Sequence, residues 1–171
     1  MGAEQKVAVI TGASRGIGAA LVKAYLDRGY RVVATARSVE PTSNADILVV
    51  PGDIADRQTA ERAISEGLDR FGRIDTLVNN AGIFIAKPFT QYTAADFASI
   101  LNVNIAGFFH ITQRAVAEME KQGGGHVVQI TTSLIDLAIA GVPSVLASLT
   151  KGSLNARPNR SRSNMRSGVF A

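Results

Sequence analysis

The 171-residue chain contains no cysteine and no tryptophan, and only two histidines. The lack of cysteine excludes disulfides and thiolate metal sites, and His110 and His126 stand apart without neighbouring carboxylates, so no metal site is expected. The most apolar late stretch, residues 134–142, is too short to cross a membrane and contains Asp136. The first residues do not form a secretory signal. We therefore expect a cytoplasmic protein with no membrane partner.

A surplus of positive charge is present, but it is confined to the C-terminus. Lys and Arg number 18 against 14 Asp and Glu, which gives a formal net charge of +4. The surplus is carried by four late arginines, Arg157, Arg160, Arg162 and Arg166. The rest of the chain is neutral and offers no aromatic platform on which bases could stack. We therefore expect no nucleic-acid partner, and a salt-dependent gel shift would be the evidence for one.

Length and composition indicate one globular domain, because 46% of the residues are apolar and 19% are charged. Short apolar runs alternate with stretches of helical periodicity. Strands are predicted at 7–11, 31–36, 47–50, 76–79 and 126–131, and helices at 16–28, 57–71 and 94–121. Strands separated by helices pair in parallel through right-handed crossovers. The predicted fold class is therefore α/β, with a doubly wound, Rossmann-like parallel sheet and a ligand crevice at the carboxyl ends of its strands.

A last helix is predicted from Pro143, because proline is well suited to a first helical position. Val145, Leu149 and Ala156 would share its inner face. Pro158 then ends the helix.

Residues 11–18, Thr-Gly-Ala-Ser-Arg-Gly-Ile-Gly, follow the first strand and open the first helix. Glycines allow a tight bend and let a pyrophosphate approach the backbone, while the helix N-terminus offers free N–H groups and a positive dipole end. The pattern therefore favours a dinucleotide site. The spacing of Gly12, Gly16 and Gly18 differs from the commoner G-x-G-x-x-G, and a tight turn without a ligand is the alternative.

Four later segments support the same interpretation. Asn79-Asn80-Ala81-Gly82 follows a strand, Asn104 lies in the long helix, Thr131-Thr132-Ser133 ends the fifth strand, and Lys151 lies on the following helix. With the glycine turn, their order and spacing resemble the classical short-chain dehydrogenases/reductases from residue 6 to about residue 156. The resemblance implies an oxidoreductase that transfers hydride between a nicotinamide and a small-molecule carbonyl or alcohol substrate. It also implies a homo-oligomer.

The resemblance assigns a set of residues to the dinucleotide. The implied cofactor-binding residues are Gly12, Ser14, Arg15, Gly16, Ile17, Gly18, Arg37, Asp53, Asn80, Ala81, Gly82 and Lys151. Within this set, Asp53 would contact the adenine. The alternative for Asp53 is a turn acid in Pro-Gly-Asp, since aspartate is common in turns.

Charge at the end of the second strand predicts which nicotinamide cofactor is preferred. An acidic residue there would hydrogen-bond the ribose diol of NAD and repel a 2′-phosphate. The strand instead ends in Ala-Thr-Ala-Arg-Ser, so Arg37, together with Arg15 of the glycine turn, could pair with the phosphate of NADP. We therefore favour NADP(H) and keep NAD(H) as possible. The alternative is that both arginines are merely solvated.

Three of the four catalytic roles that the resemblance implies have a counterpart. Lys151 would lower the pKa of an acid/base tyrosine and bind the ribose, and Ser133 would polarise the substrate carbonyl, with Thr132 as second candidate. Asn104 would hold a water in the proton relay. Each could instead be structural: a surface charge, a turn cap and a residue bonded within its own helix.

The fourth role has no counterpart, because Ala147 stands where the family has its tyrosine, four residues before Lys151. Ser148 carries a hydroxyl, but it lies one position around the helix and is a far weaker acid. Loss of a positioned acid/base typically costs about 10²–10⁴-fold in rate. Either the substrate is protonated through water, or the usual chemistry does not run.

The last fifteen residues do not resemble the family, whose members continue beyond the lysine helix with two more strands. We therefore predict a partial dinucleotide-binding domain at 1–156, with an incomplete sheet lacking its last two strands, and a basic irregular tail at 157–171. Codons for residues 157–171 can be chosen so that a shifted reading frame encodes Ala-Thr-Lys-Ser-Leu-Ala-Ile-Glu-Tyr-Ala-Lys-Arg-Gly-Val-Arg. This peptide resembles the way in which family members continue after the lysine helix. This suggests truncation by a single-base deletion near codon 156, which gene sequencing would test. A bare fifth strand and a weakened oligomer interface would follow.

Two functions remain open at this point. The first is an NAD(P)(H)-dependent oxidoreductase of the short-chain type whose turnover is in doubt. The alternative is a non-catalytic dinucleotide-binding or regulatory domain, which tight binding without turnover would favour. The identity of the substrate is not predicted, because in the family the missing C-terminal part shapes the pocket.

Overall fold

Six parallel strands form one sheet in the computed structural model, which describes residues 4–136, 139, 141–154 and 166–170. The strands are β1 (Val7–Thr11), β2 (Arg31–Ala36), β3 (Ile47–Pro51), β4 (Thr76–Asn79), β5 (His126–Ile130) and β6 (Arg166–Phe170). The α-helices are α1 (Gly16–Leu26), α2 (Arg57–Phe71), α3 (Ala94–Leu101), α4 (Phe108–Lys121) and α5 (Val145–Ser153). The first five strands lie within one residue of the predicted ones, which confirms the α/β fold class.

The sheet has the doubly wound order β3-β2-β1-β4-β5-β6. The chain builds outward from β1 to β3, returns to the other side of β1, and then builds outward again from β4. The direction of progression therefore reverses between β1 and β4, where Val9 and Leu77 are register partners. At such a switch point the connections leave toward opposite faces and open a crevice at the carboxyl ends of the strands.

Helices cover both faces of the sheet, and the residues of β1 are accordingly apolar on both sides of the strand. Val7 and Val9 point into the hydrophobic cluster that includes α2 and α4, whereas Ala8 and Ile10 point into the cluster beneath α1. All four residues are fully buried. A strand buried on both faces requires a continuous apolar run, which explains why Val-Ala-Val-Ile shows no alternation.

The predicted long helix forms from Ala94 to Lys121, but its middle is π-helical from Asn102 to Gly107. It begins with the predicted capping box of Thr93 and Asp96. By length and mean hydropathy, 1.2 over an 18-residue window, it is the one helix among the described residues that could cross a membrane. Core helices pass the same test, and the Ile111 face of α4 is buried in the core.

The start and the inner face of the last helix were predicted wrongly. Helix α5 begins at Val145, two residues after Pro143, and it buries Leu146, Ala147 and Thr150. Val145 is 49% exposed and Leu149 is 59% exposed. The packed face is therefore one position away from the predicted one, because Thr150 bonds to a buried polar side chain of the π segment. Ala156, also assigned to the inner face, lies outside the described residues.

The prediction that the tail is irregular and leaves β5 bare is wrong for Arg166–Phe170. These residues form β6, which pairs in parallel with β5 from His126↔Arg166 to Ile130↔Phe170. An edge strand presents a row of unpaired N–H and C=O groups, which any extended segment can satisfy regardless of its side chains. The sheet is thus one strand larger than predicted. The proposed boundary near residue 156 lies outside the described residues.

Candidate cofactor and catalytic site

A cleft of about 400 Å³ lies at the carboxyl ends of β1, β2, β3 and β4, at the predicted crevice. It brings together ten of the predicted cofactor residues: Gly12, Ser14, Arg15, Ile17, Gly18, Arg37, Asp53, Asn80, Ala81 and Gly82. Gly16 and Lys151 are outside this lining. The cleft also contains residues that the sequence analysis missed: Thr35, Ala36, Ser38, Gly52, Ile54, Ile83 and Val103. Ser38 could have been found, because it directly follows Arg37 at the end of β2.

The glycine turn has the geometry that a phosphate site requires. Gly12 and Gly16 have φ of 65° and 54°, in the left-handed region that glycine adopts without strain. A Cβ on Gly18 would lie 2.0 Å from the Gly12 carbonyl oxygen, so α1 can approach the turn only because Gly18 has no side chain. Arg15, the N-cap residue, makes no side-chain capping bond. The first N–H groups of α1 are therefore available to an anion.

Asn80 holds the glycine turn against β4 from inside the molecule. Its Nδ2 donates to the carbonyl oxygens of Thr11, at 2.9 Å, and Gly12, at 3.1 Å. In return, Thr11 Oγ1 accepts from the backbone N–H groups of Asn80, at 3.0 Å, and Ala81, at 2.9 Å. The predicted cofactor residue Asn80 thus shapes the cleft by tying two strand ends together.

Positive charge lines the cleft at the glycine turn and after β2. Arg15 and Arg37 are exposed, and neither forms an ion pair within the described part of the chain. The Oγ1 of Thr35 is buried and has no hydrogen-bond partner among those residues. Because that oxygen is closed off from the cleft, the two arginines are the groups that a ligand can meet, and guanidinium groups pair well with phosphate. The arrangement therefore suits a phosphorylated nucleoside.

Asp53 has the geometry of both roles considered for it. One carboxylate oxygen accepts from the N–H of Ala55 at 3.0 Å, which closes a local turn. The second oxygen forms no hydrogen bond within the described residues, and the side chain is exposed at the cleft. A turn acid in this position can still accept from a ligand amine.

Asn104 is 1% exposed and lies in the π segment. Its Oδ1 accepts from the N–H of Ile83 at 2.9 Å. Its Nδ2 donates to the Ile83 carbonyl at 3.1 Å and to Thr150 Oγ1 at 3.0 Å. The side chain therefore joins the loop after β4 to α5, and its predicted role of holding a water in the proton relay stays a prediction.

Lys151 extends from α5 toward the same loop. Its Nζ donates to the carbonyl of Ile130 at 3.1 Å, and burial lowers the pKa of its ammonium. A Cβ on Gly82 would lie 2.8 Å from Lys151 Nζ and 3.3 Å from Asn104 Oδ1. Two of the predicted catalytic residues thus converge on Gly82 at the end of the cleft.

The predicted serine stands slightly apart from this pair. Ser133 is exposed and begins a short 3-10 turn, Ser133–Ile135, that directly follows β5. Thr132, the second candidate, uses its hydroxyl to accept from the N–H of Leu134 at 3.3 Å. Ser148 Oγ donates to the Leu134 carbonyl at 3.0 Å, so this hydroxyl is bonded away from the cleft.

Ala147 is 4% exposed, and the described residues supply no phenol to replace the missing one. Tyr92 donates its hydroxyl to the Ile85 carbonyl at 2.7 Å. Tyr25 and Tyr30 pack edge to face, with ring centroids 5.1 Å apart, beneath α1. All three tyrosines are thus used elsewhere in the fold.

Comparison with known proteins identifies a family that is consistent with a nucleotide-binding cleft. A family profile described as short chain dehydrogenase matches residues 6–148. The chain therefore belongs to the short-chain dehydrogenase family, a family of nicotinamide-dependent oxidoreductases acting on small molecules. L-fucose dehydrogenase of Mus musculus is similar, with 35% identity over 158 residues that cover 88% of this chain.

Solved structures of the family superpose on most of the chain. A short-chain dehydrogenase/reductase from Serratia marcescens gives a TM-score of 0.78 at 32% identity, covering 87% of this chain and 67% of that one. ElxO with NADP bound gives a TM-score of 0.80 at 28% identity, covering 88% and 64%. The chain spans 56% of the mouse dehydrogenase.

Proposed function

We propose that the chain binds NADP(H) in this cleft and is built for hydride transfer between the nicotinamide and a carbonyl or alcohol carbon. One observation carries the preference for NADP(H). Arg15 and Arg37 both line the adenine end of the cleft, and no acidic residue ends β2. A guanidinium pairs well with a phosphate, and an acid at the end of β2 would repel it.

Different residues of the cleft would contact different parts of the cofactor. The free N–H groups at the start of α1 would hold the pyrophosphate, with Gly12 and Gly18 allowing close approach. Arg15, Arg37 and Ser38 would hold the 2′-phosphate, while the free oxygen of Asp53 would accept from the adenine amine. The nicotinamide, when bound, supplies or accepts the hydride. The nicotinamide would lie at Gly82 and Ile83 of the cleft lining, of which Gly82 is next to Lys151.

The relatives support the proposal at the level of chemical class. ElxO, whose structure superposes on the chain, holds NADP. A variant of ElxO with a tyrosine replaced by phenylalanine holds NADPH. L-fucose dehydrogenase acts on a sugar, L-fucose, as its name states. We carry over from these proteins the cofactor and a carbonyl or alcohol substrate, and no particular substrate.

Fluorescence titration with NADPH and NADH, for wild type, Arg37→Ala and Arg28→Ala, tests the proposal. Wild type should bind NADPH more tightly than NADH. R37A should weaken NADPH binding by about 10-fold, because loss of a charged hydrogen bond costs ~1.5 kcal/mol, and should leave NADH unchanged. The exposed side chain of Arg28 donates to the Ala24 carbonyl near the C-terminal end of α1, away from the glycine turn, so R28A is the matched control. Preference for NADH, or no binding of either cofactor, would refute the proposal.

A non-catalytic dinucleotide-binding or regulatory domain is the second candidate, favoured by one observation. Ala147, whose methyl group is buried, stands where the family has its acid/base tyrosine. Tight NADPH binding without reduction of any carbonyl compound would establish this alternative. Reduction of even one carbonyl compound, with consumption of NADPH in equal amount, would exclude it.

A further inference from the structure

Proton donors are scarce where the described side chains meet at Gly82, the end of the cleft proposed for the nicotinamide. Helix α5 presents Ala147 one turn before Lys151, and the tyrosines of the chain bond or pack elsewhere. Ser148 donates its hydroxyl to the Leu134 carbonyl. Among the described residues around Gly82, Lys151 is the side chain that carries exchangeable, acidic protons.

Lys151 is held at this place by backbone geometry. Its Nζ donates to the Ile130 carbonyl at the end of β5, which engages one of three ammonium protons. The rest of the ammonium occupies the notch left by Gly82, where a Cβ would lie 2.8 Å from Nζ and 2.9 Å from Cε. Gly82 itself lines the cofactor cleft. The notch therefore holds the amine next to a residue that lines the cleft.

The surroundings of Lys151 make its ammonium a stronger acid than that of a surface lysine. The groups that face it are the Ile130 carbonyl of β5, Gly82 of the loop after β4, and Asn104 of the π segment, none of which titrates. Lys151 forms no ion pair within the described chain, and burial alone lowers its pKa. A carboxylate neighbour would have had the opposite effect.

We propose that the ammonium of Lys151 is itself the proton donor when the chain reduces a carbonyl compound, taking the role for which the family employs a tyrosine. The proposal rests on the proposed function. The hydride of NADPH forms the new C–H bond, the carbonyl electron pair moves to oxygen, and that oxygen takes a proton from Lys151 Nζ. The products are an alcohol, NADP⁺ and a neutral amine, which solvent reprotonates.

Steady-state kinetics of wild type, Lys151→Arg and Lys151→Met test this role, with an activated ketone and an aromatic aldehyde as substrates. Arginine keeps the positive charge but does not release a proton near neutral pH. Both variants should lose about 10²–10⁴-fold in kcat, the usual cost of a missing general acid. K151R should change the Kd of NADPH less than about threefold, since charge beside the cofactor is retained. Lys121→Arg, at a surface lysine paired with Glu118, is the control and should match wild type.

The pH dependence separates proton donation from a purely electrostatic role. A general acid must be protonated, so the kcat for reduction should be constant at lower pH and fall as the pH rises through the pKa of Lys151. Competitive acetylation read by mass spectrometry should place that pKa below the pKa of Lys121 in the same sample. Gly82→Ala, which fills the notch, should lower kcat and raise the pKa of Lys151 toward that of an exposed lysine.

Several results would overturn the proposal. A kcat of K151R within threefold of wild type would mean that water protonates the substrate. A Lys151 that acetylates like Lys121 would mean that its amine is not held in the notch. Wild type that binds NADPH but reduces no carbonyl compound would remove the role of Lys151 and leave the cofactor site intact. Wild type that binds no NADPH would instead refute the proposed function, and this role with it.

Discussion

Replacing Asn80 by alanine isolates the bond that holds the glycine turn in place. The substitution removes the two hydrogen bonds from Nδ2 to the carbonyl oxygens of Thr11 and Gly12. Each such bond contributes about 1 kcal/mol net, and a carbonyl left unsatisfied away from water costs about 1–3 kcal/mol more. The cleft admits water to the Gly12 side, so we expect a loss of about 2–4 kcal/mol in the free energy of unfolding.

The substitution should weaken cofactor binding as well as stability, because Asn80 shapes the cleft. Without Nδ2 the turn is no longer fixed to the end of β4, so the N–H groups at the start of α1 lose their alignment toward the pyrophosphate. We expect NADPH binding to weaken by about tenfold or more, since each 1.4 kcal/mol is a factor of ten. Asn80→Asp should be no better than N80A, because a carboxylate cannot donate to two carbonyl oxygens.

Urea denaturation and NADPH titration of wild type, N80A, N80D and Asn102→Ala would measure both quantities. Asn102 is an exposed asparagine on the long helix, and N102A is expected to lie within about 0.5 kcal/mol of wild type. If N80A unfolded within 0.5 kcal/mol of wild type and bound NADPH equally well, the hydrogen bonds of Asn80 would not hold the turn. The cleft geometry would then need another explanation.

Three further predictions follow from single contacts. The hydrogen bond from Lys87 and those of the capping box lower the pKa of Asp96 to about 2, from an ordinary value of 3.8. The ionised carboxylate therefore stabilises the fold above pH 3.8, and this stabilisation is lost as the pH falls toward 2. In acid titrations, the difference in stability between wild type and Asp96→Asn should vanish over the same range. Gly18→Ala should abolish NADPH binding in the fluorescence titration, because its Cβ would meet the Gly12 carbonyl oxygen at 2.0 Å. Gly152→Ala, by contrast, meets only ordinary contacts and should raise the free energy of unfolding in urea by about 0.5–1 kcal/mol; a loss of stability would contradict this.

The elements that the sequence predicted well are those determined by local physical rules. The buried run Val7–Thr11 and the glycine turn after it fix the first strand, the first helix and the crevice between them. The capping box at Thr93 fixed the beginning of the long helix. Most cleft residues follow from topology, because they lie at or just beyond the carboxyl ends of β1 to β4, whereas Val103 reaches the cleft from the long helix.

The errors arose where distant parts of the chain decide the outcome. The inner face of α5 depends on the bond between Thr150 and Asn104, which are 46 residues apart in sequence. The pairing of β6 with β5 depends on an open edge rather than on the sequence of the strand, so no local pattern indicated it. The π segment leaves no clear sign in the hydrophobic periodicity, since six residues are too few to establish a period.

The π segment Asn102–Gly107 changes the direction in which side chains point in the second half of the long helix relative to the first half. A π turn accommodates one residue more than an α turn, which rotates everything after it by about 100° relative to an uninterrupted α-helix. The π segment itself can therefore turn Asn104 toward the loop after β4, while the half of the helix after it turns Ile111 into the core. Deleting one residue here would restore a regular α-helix. Such a helix could keep either the hydrogen bonds of Asn104 or the burial of Ile111, but not both.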